Sequence, residues 1–329
     1  MNYDEYVEII NYVLNDKHLS VKKLADSLDK TDLNINQQIH KLASQGGLLK
    51  INSDQILTFT ELPDIYRRQL ILSKIITSDA SSYVELDIFL SLDSTNSYLK
   101  SVLNSGSGMS ICLAETQTNG RGRRGKSWES PFGANVYLSI RKKIYIHPAD
   151  CGCISLITGL AIIRSLESLG FSELQIKWPN DIYSHGKKLA GVLIEVVSVA
   201  HHFVDLVIGI GINVRMPQQF VSKIDQSWID LAQLEKTKSI SRNEIVIAVI
   251  NQLNLDLSLF EKKGMDAFQK RWRDLDYLHN KEITIKRENG ELGGIATGIN
   301  SKGELLAETG DGLLVVNAGE VSVRASNKC

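Results

Sequence analysis

The stretch ETQTNGRGRRGKSWESPFGAN, running from Glu115 to Asn135, places three glycines and four cations between Gly120 and Lys126. Such a loop can bring backbone N–H groups and guanidinium forks onto an anion, and arginine suits a phosphate or carboxylate because its planar fork binds two oxygens at once. Gly120, Gly122 and Gly125 match the dinucleotide-binding fingerprint in form. That fingerprint closes a strand, opens a helix and is followed by an acid about twenty positions on. In this chain the glycines run into Trp128 and Pro131 and then a strand, which argues against the doubly wound fold. Taken alone, the segment is also compatible with a solvated basic loop or a nucleic-acid contact.

Around this loop the two structural periods are mixed. Val84 to Leu92, Ser110 to Glu115, Ala134 to Arg141, Leu174 to Trp178, Lys188 to Val197 and Phe203 to Val214 are rich in β-branched residues and read as strands. Asn96 to Leu103, Cys151 to Leu169 and Asn243 to Lys262 read as helices, the second closed by Gly170. The pattern predicts an α+β domain with a largely antiparallel or mixed sheet. Within it, Lys177-Trp178-Pro179-Asn180-Asp181 puts an amide and a carboxylate where proline cannot continue a ladder, and Asp181 is a candidate magnesium ligand beside a phosphate. Without other context, an Asn-Asp pair after proline more often marks a plain turn. Lys187 and Lys188 face opposite sides of one strand, so Lys188 can aim inward as a point charge while its neighbour meets water; a paired surface edge is the alternative.

The two ends read differently. Tyr6, Ile9, Ile10 and Val13 recur at helical spacing, and a second helix spans Val21 to Leu28 after the cap candidate Ser20. A third runs from Asp32 to Ser44 with Leu33, Ile35, Ile39 and Leu42 on its apolar side, ended by Gly46-Gly47. Leu48 to Ile51 and Ile56 to Phe59 then flank Asn52-Ser53-Asp54-Gln55 as a hairpin. Three helices and a two-stranded wing are the pattern of a winged helix-turn-helix. Leu62-Pro63 leads into a connector helix around Tyr66 to Ile76 and a loop at 77–82. From Lys281 onward, five short strands separated by glycines and turn residues predict a small β-barrel, too small to be very stable without docking. The predicted chain is multi-domain α+β, with a winged helix-turn-helix over 1–62, a linker helix and loop over 63–82, the central domain over 83–278 and the barrel over 279–329.

Composition bounds these readings. With 43% hydrophobic and 23% charged residues over 329 positions, the chain can bury more than one ordinary core. Its net charge of -1 excludes a molecule that is basic throughout, so any anion site is local. Cys112, Cys151, Cys153 and Cys329 have no framework spacing and are expected to be reduced thiols of a cytoplasmic protein. The N-terminus carries acids where a signal peptide needs cations, and Phe203 to Val214 falls short of the ~20 residues that span a bilayer, so no membrane association is expected. His201 and His202 join two strands and are expected in an exposed turn rather than at a metal.

Asp93-Ser94-Thr95-Asn96, GRGRRG within Gln117 to Trp128, SPFGAN at 130–135, KWPND at 177–181, KLAG at 188–191 and GIGIN at 209–213 occur in this order. Together they closely resemble the biotin protein ligase family, and the winged helix in front matches its bifunctional bacterial type, which also represses the biotin operon. The resemblance implies a class II synthetase-like central domain and an SH3-like C-terminal barrel. It implies that ATP, with Mg2+, activates biotin as biotinyl-5'-AMP, and that the biotinyl group passes to one lysine of the biotin carboxyl carrier protein of acetyl-CoA carboxylase. By the same resemblance, Ser94, Thr95, Asn96 and Gln117 line the biotin site, and Arg121, Gly122 and Arg123 lie in a loop that folds over biotin and the adenylate. Lys188 contacts the biotin carboxylate and bridging phosphate oxygens, and it is catalytic together with Arg121 and Arg123. Arg123, Trp128, Asn180, Asp181, Asn213 and Trp228 belong to the nucleotide side, with Asp181 on the metal. Homodimerisation through the central sheets and operator DNA as a partner are implied as well.

The chemistry agrees with these residue types, because a carboxylate attacking the α-phosphate of ATP gathers negative oxygens that the site must neutralise while excluding water. No covalent enzyme intermediate is needed. On the third helix Asn34, Gln37, Gln38 and Lys41 are the candidate DNA contacts, yet residues 1–62 carry more acids than bases, which works against phosphate neutralisation. Three alternatives stay open: a ligase that has lost DNA binding, a lipoate ligase of related fold, and a non-catalytic ligand-sensing repressor. The last would be expected to lack Arg121, Arg123 or Lys188, and all three are present.

Overall fold

Asn2 and Glu5 cap the first helix reciprocally, each side chain accepting from the other's amide, and so fix the start of α1 (Tyr3–Asn15). Its inward stripe of Tyr3, Tyr6, Ile9, Ile10 and Val13 is buried. Ser20 accepts from the Lys23 amide to open α2 (Val21–Ser27), and α3 (Asp32–Ser44) follows with Ile35, Ile39 and Leu42 inside. Leu33, expected on that apolar side, is instead 67% exposed, because two positions before Ile35 it lies on the opposite face of the helix. The strands β1 (Leu49–Ile51) and β2 (Leu57–Phe59) pair antiparallel, and Ile56 bridges back to Ser20.

The computed structural model describes all residues except 17, 45–48, 60–63, 77–82, 103–107, 218–219, 221–223, 225, 236–240, 288–289, 319–321 and 326–329. The expected stop at Gly46-Gly47, the Leu62-Pro63 junction, the loop at 77–82 and Cys329 lie outside the described residues.

After α4 (Arg68–Lys74) come β3 (Val84–Leu92), α5 (Thr95–Ser101), β4 (Met109–Gln117), β5 (Val136–Ile144), α6 (Cys153–Ser168), β6 (Leu174–Lys177), β7 (Asp181–Ser184), β8 (Lys187–Val199) and β9 (Val204–Ile212). The short α7 (Leu231–Leu234), the long α8 (Arg242–Lys263) and α9 (Gln269–Leu275) complete the central part. Its seven strands form one sheet in the order β3-β4-β5-β9-β8-β7-β6. Among the described residues only the β3–β4 pair of this sheet is parallel, so the sheet is mixed, as expected. Sequence reasoning overlooked β7, which starts two residues after Pro179 and buries three of its four residues, leaving no polar alternation to read. α6 packs on both α8 and the sheet, which is why it is apolar nearly all round. The expected connector, α4, is tied into this part: the amides of Arg67 and Ile76 donate to Asn243 and Asn251 of α8.

At the end, β10 (Glu282–Arg287), β11 (Gly290–Ile299), β12 (Leu305–Thr309), β13 (Gly312–Val316) and β14 (Ser322–Ala325) make an antiparallel sheet in the order β13-β12-β11-β10-β14. It docks on the central part, where the Trp178 indole donates to the Gly303 carbonyl at 3.0 Å. One buried apolar cluster includes residues from all three parts of the chain. No helix among the described residues is long and apolar enough to cross a membrane.

Candidate active site

Two glycines of β9 form a floor on the sheet. A Cβ at Gly209 would stand 2.3 Å from Asn96 Oδ1, and one at Gly211 would stand 2.5 Å from the Trp128 ring, so an amide and an indole lie directly on the backbone. The alternating Ile208, Ile210 and Ile212 are buried, as pleating requires.

On one side of this floor, α5 is held by hydrogen bonds at its start. Ser94 caps it, and the Thr95 amide donates to Gln117 Oε1 at 2.9 Å while Gln117 Nε2 donates to Ser130 at 3.1 Å. The Ser139 hydroxyl of β5 lies 2.7 Å from Thr95 Oγ1 and 2.6 Å from Asn96 Oδ1. Ser94, Thr95, Asn96 and Gln117, from two separate segments of the sequence, are thus one polar group, and Ser139 joins them. Nothing in its strand, apart from one hydroxyl among apolar neighbours, announced it.

The arginine loop folds back on itself through Arg124 in the left-handed region at φ 57°, with the Gly122 amide donating to Lys126 at 2.6 Å and the Trp128 amide to Gly120 at 2.9 Å. A cleft of about 320 Å³ is lined by residues 119–127, Leu193 and Glu195. The loop arginines part company within it. Arg121 donates to Ser97 Oγ at 3.0 Å and pairs with Glu195 at 3.0 Å. Arg123 donates to Asn180 Oδ1 at 3.2 Å and to the Ala318 carbonyl of the C-terminal part. Burial pulls the Arg123 guanidinium below its usual value, and the nearby Asp181 charge opposes that shift.

Lys188 points inward and Lys187 outward, as the strand alternation predicted. The Lys188 ammonium sits 2.8 Å from Asp181 and 5.3 Å from the centre of the Trp128 ring. Arg123 and Lys188 therefore meet at the Asn180–Asp181 pair, whereas Arg121 reaches the α5 side. Trp228 runs beside Lys188, since the Lys188 amide donates to Ser227 and the Ile229 amide donates to Lys188. The Asn213 amide group is 3.1 Å from the Ile229 carbonyl and holds that segment in place. Arg121 Nε and Trp128 Nε1 are buried donors without a partner among the described residues, so the site offers two N–H groups to a ligand. No cluster of three metal-ligating side chains occurs among the described residues, and Asp181 is the carboxylate paired with the Lys188 ammonium.

Glu195 was not foreseen. Its Oε1 pairs with Lys100 at 2.9 Å, and its Oε2 takes the Asn96 amide at 2.8 Å as well as Arg121. Burial alone would raise its carboxyl, but Lys100, Asn96 and Arg121 together hold it below the usual range. The available signal was phase: Gly191, Leu193 and Glu195 alternate onto one face of β8.

The other expectations fall outside this site. Asn34, Gln37 and Lys41 are exposed on α3, while Gln38 is half-buried. His201 and His202 are exposed, with rings stacked at 4.7 Å, in the bend between β8 and β9. Cys112 and Cys153 are buried free thiols, and Cys151 is a half-buried one.

Comparison with known proteins adds independent findings. The family model described as Biotin/lipoate A/B protein ligase family matches residues 88–213, and that for the Biotin protein ligase C terminal domain matches 278–324. The Escherichia coli bifunctional ligase/repressor BirA is 32% identical over 323 residues, covering 98% of this chain and 98% of that protein. A Mycobacterium tuberculosis biotin--[acetyl-CoA-carboxylase] ligase is 31% identical, covering 73% of this chain and 90% of that protein. Among solved structures, the Aquifex aeolicus biotin protein ligase in complex with biotin and ATP superposes with a TM-score of 0.62 at 28% identity, over 74% of this chain and 99% of that one.

Proposed function

The chain belongs to the biotin protein ligases, and from that membership we propose how its own residues carry out adenylation and transfer. The ligase joins biotin to the AMP part of ATP, with pyrophosphate leaving, and delivers the biotinyl group to the carrier of acetyl-CoA carboxylase. The observation that carries the residue assignment is the meeting of Arg123 and Lys188 at Asn180–Asp181, beside a Trp128 ring laid on the Gly211 backbone.

In this reading, Ser94, Thr95, Asn96 and Gln117 hold the ureido ring, whose C=O and N–H groups need both donors and acceptors. Lys188 and Arg123 neutralise the carboxylate and the α-phosphate as they approach, and preformed charge of this kind costs no reorganisation during the reaction. Trp128, Asn180, Asn213 and Trp228 form the nucleotide side, where Trp128 Nε1, without a partner among the described residues, supplies a donor. Asp181, the carboxylate paired with Lys188, would hold a magnesium ion brought with the nucleotide, because Mg2+ is commonly held by one or two carboxylates plus substrate phosphates. The loop with Arg121, Gly122 and Arg123 excludes water from the mixed anhydride until the carrier lysine attacks its carbonyl and AMP leaves.

The N-terminal part is assigned as a winged helix-turn-helix that reads operator DNA through Asn34, Gln37, Gln38 and Lys41, in keeping with a ligase that is also a repressor. The five-stranded C-terminal sheet is assigned as the SH3-like barrel. A cytoplasmic location and a homodimer formed through the central sheets complete the proposal. The deciding experiment mixes the protein with ATP, magnesium, biotin and a biotin carrier domain and follows mass. Addition of one biotinyl group to one lysine is expected; transfer of lipoate instead, or of neither acid, overturns the reading.

A further inference from the structure

Glu195 belongs to neither the ureido group nor the nucleotide group of residues, yet it ties α5 to the arginine loop. From β8 it receives Asn96 and Lys100 of α5 on one side and Arg121 of the loop on the other. Both of its oxygens are used, and its side chain is 17% exposed. All three partners are donors, and an ionised carboxylate, which only accepts, answers all of them. A glutamine there would turn its NH2 group toward Lys100 or toward both Asn96 and Arg121.

We propose that Glu195 is a positioning residue for adenylation, one that holds the Arg121 guanidinium in register with the Asn96 amide so that the loop closes over a site whose α5 residues are already in place. It acts through those two side chains rather than by touching substrate. An unrestrained arginine samples many rotamers, and fixing it beforehand lowers the entropy lost when the loop closes. Ser97 strengthens the arrangement, since its hydroxyl takes the same Arg121 nitrogen that reaches Glu195. The inference rests on the ligase reading.

The test compares the full-length wild type with Glu195→Gln and Glu195→Asp. Pyrophosphate release gives KM and kcat for adenylation, and a chase with unlabelled biotin gives the escape rate of preformed biotinyl adenylate. In Glu195→Gln the biotin KM is expected to rise and adenylate escape to quicken, each by about tenfold or more, which is the scale of one charge-assisted hydrogen bond. Its kcat should fall by far less, and its melting temperature should stay close to that of the wild type. Glu195→Asp keeps the charge and is expected to recover part of both losses. Wild-type KM and escape in Glu195→Gln would overturn the proposal, as would losses that merely follow its melting temperature. A wild type that makes no adenylate at all would overturn the ligase reading itself, an outcome distinct from either.

Discussion

The phenol of Tyr3 in the first helix lies 3.3 Å from the carboxylate of Glu115, across 112 residues of sequence, and 2.9 Å from the Tyr66 carbonyl, so its one proton has two acceptors. Glu115 also pairs with Arg242 at 2.7 Å, and both of those side chains are at most 3% exposed. The Arg242 guanidinium lies 4.4 Å from the Tyr66 ring centre, and Tyr6 meets Phe132 edge-on at 5.9 Å. Burial and the Glu115 charge both push the Tyr3 phenol up, so it stays a neutral donor at any ordinary pH. Removing one partner of a buried pair strands the other charge at a cost of about 3–5 kcal/mol. Glu115→Gln is therefore expected to lose stability on that scale in urea unfolding, while Glu115→Leu combined with Arg242→Met loses less than the two single changes summed. Strict additivity would refute the coupling.

The glycine floor makes a paired prediction. Gly211→Ala displaces Trp128, and Gly209→Ala displaces Asn96, because their new methyl groups would overlap those side chains. A misplacement of about 1 Å can cost ~100-fold in rate. Adenylation kinetics should show the ATP KM rising more in the first variant and the biotin KM more in the second. Identical profiles would mean the two glycines do not divide the site.

Lys188→Ala separates the half-reactions. Lys188 is the cation at Asp181, and losing a preorganised charge stabiliser costs about 10²–10³ in rate. Adenylate synthesis should fall by that factor, whereas transfer from added biotinyl adenylate to the carrier should fall much less. Equal losses in the two assays would show that Lys188 does not act chiefly on the α-phosphate.

Asp276 provides a pH test. Burial raises its carboxyl, against the Leu278 amide that donates to it, and its Oδ2 has no partner among the described residues. An acid raised in the folded state contributes stability below its unfolded value near 3.8 and loses it as pH rises through the folded value. Asp276→Asn should then melt higher than the wild type at pH 8, with the advantage fading toward pH 3. Thermal melts showing the same difference at both values would rule this out.

Much of the architecture was legible because its signals are local. Helical spacing at Ile9, Ile10 and Val13, the Ser20 cap and the β-branched runs of β3, β8 and β9 all act within a few residues. Leu33 misled because its apolar type outweighed its phase: two positions before the buried Ile35, it falls on the opposite face of the helix. β7 was hidden because a strand buried on both faces loses its alternation. In the site, the charged loop and Lys188 stood out by residue type. Ser139 and Glu195 did not, since a serine and a glutamate in strands are commonplace until their neighbours are known.

By itself the sequence determined which chemistry this protein holds: motif glycines, arginines and the inward lysine in a fixed order, together with the periods of the strands and helices that carry them. Only the tertiary structure decided how the charges are shared out. It sends Arg121 to Glu195 and brings Arg123 and Lys188 to Asn180–Asp181. The reason is physical: residue type and spacing act along the chain, whereas ion pairing depends on distances of a few ångströms between side chains that folding brings together from separate strands, helices and loops.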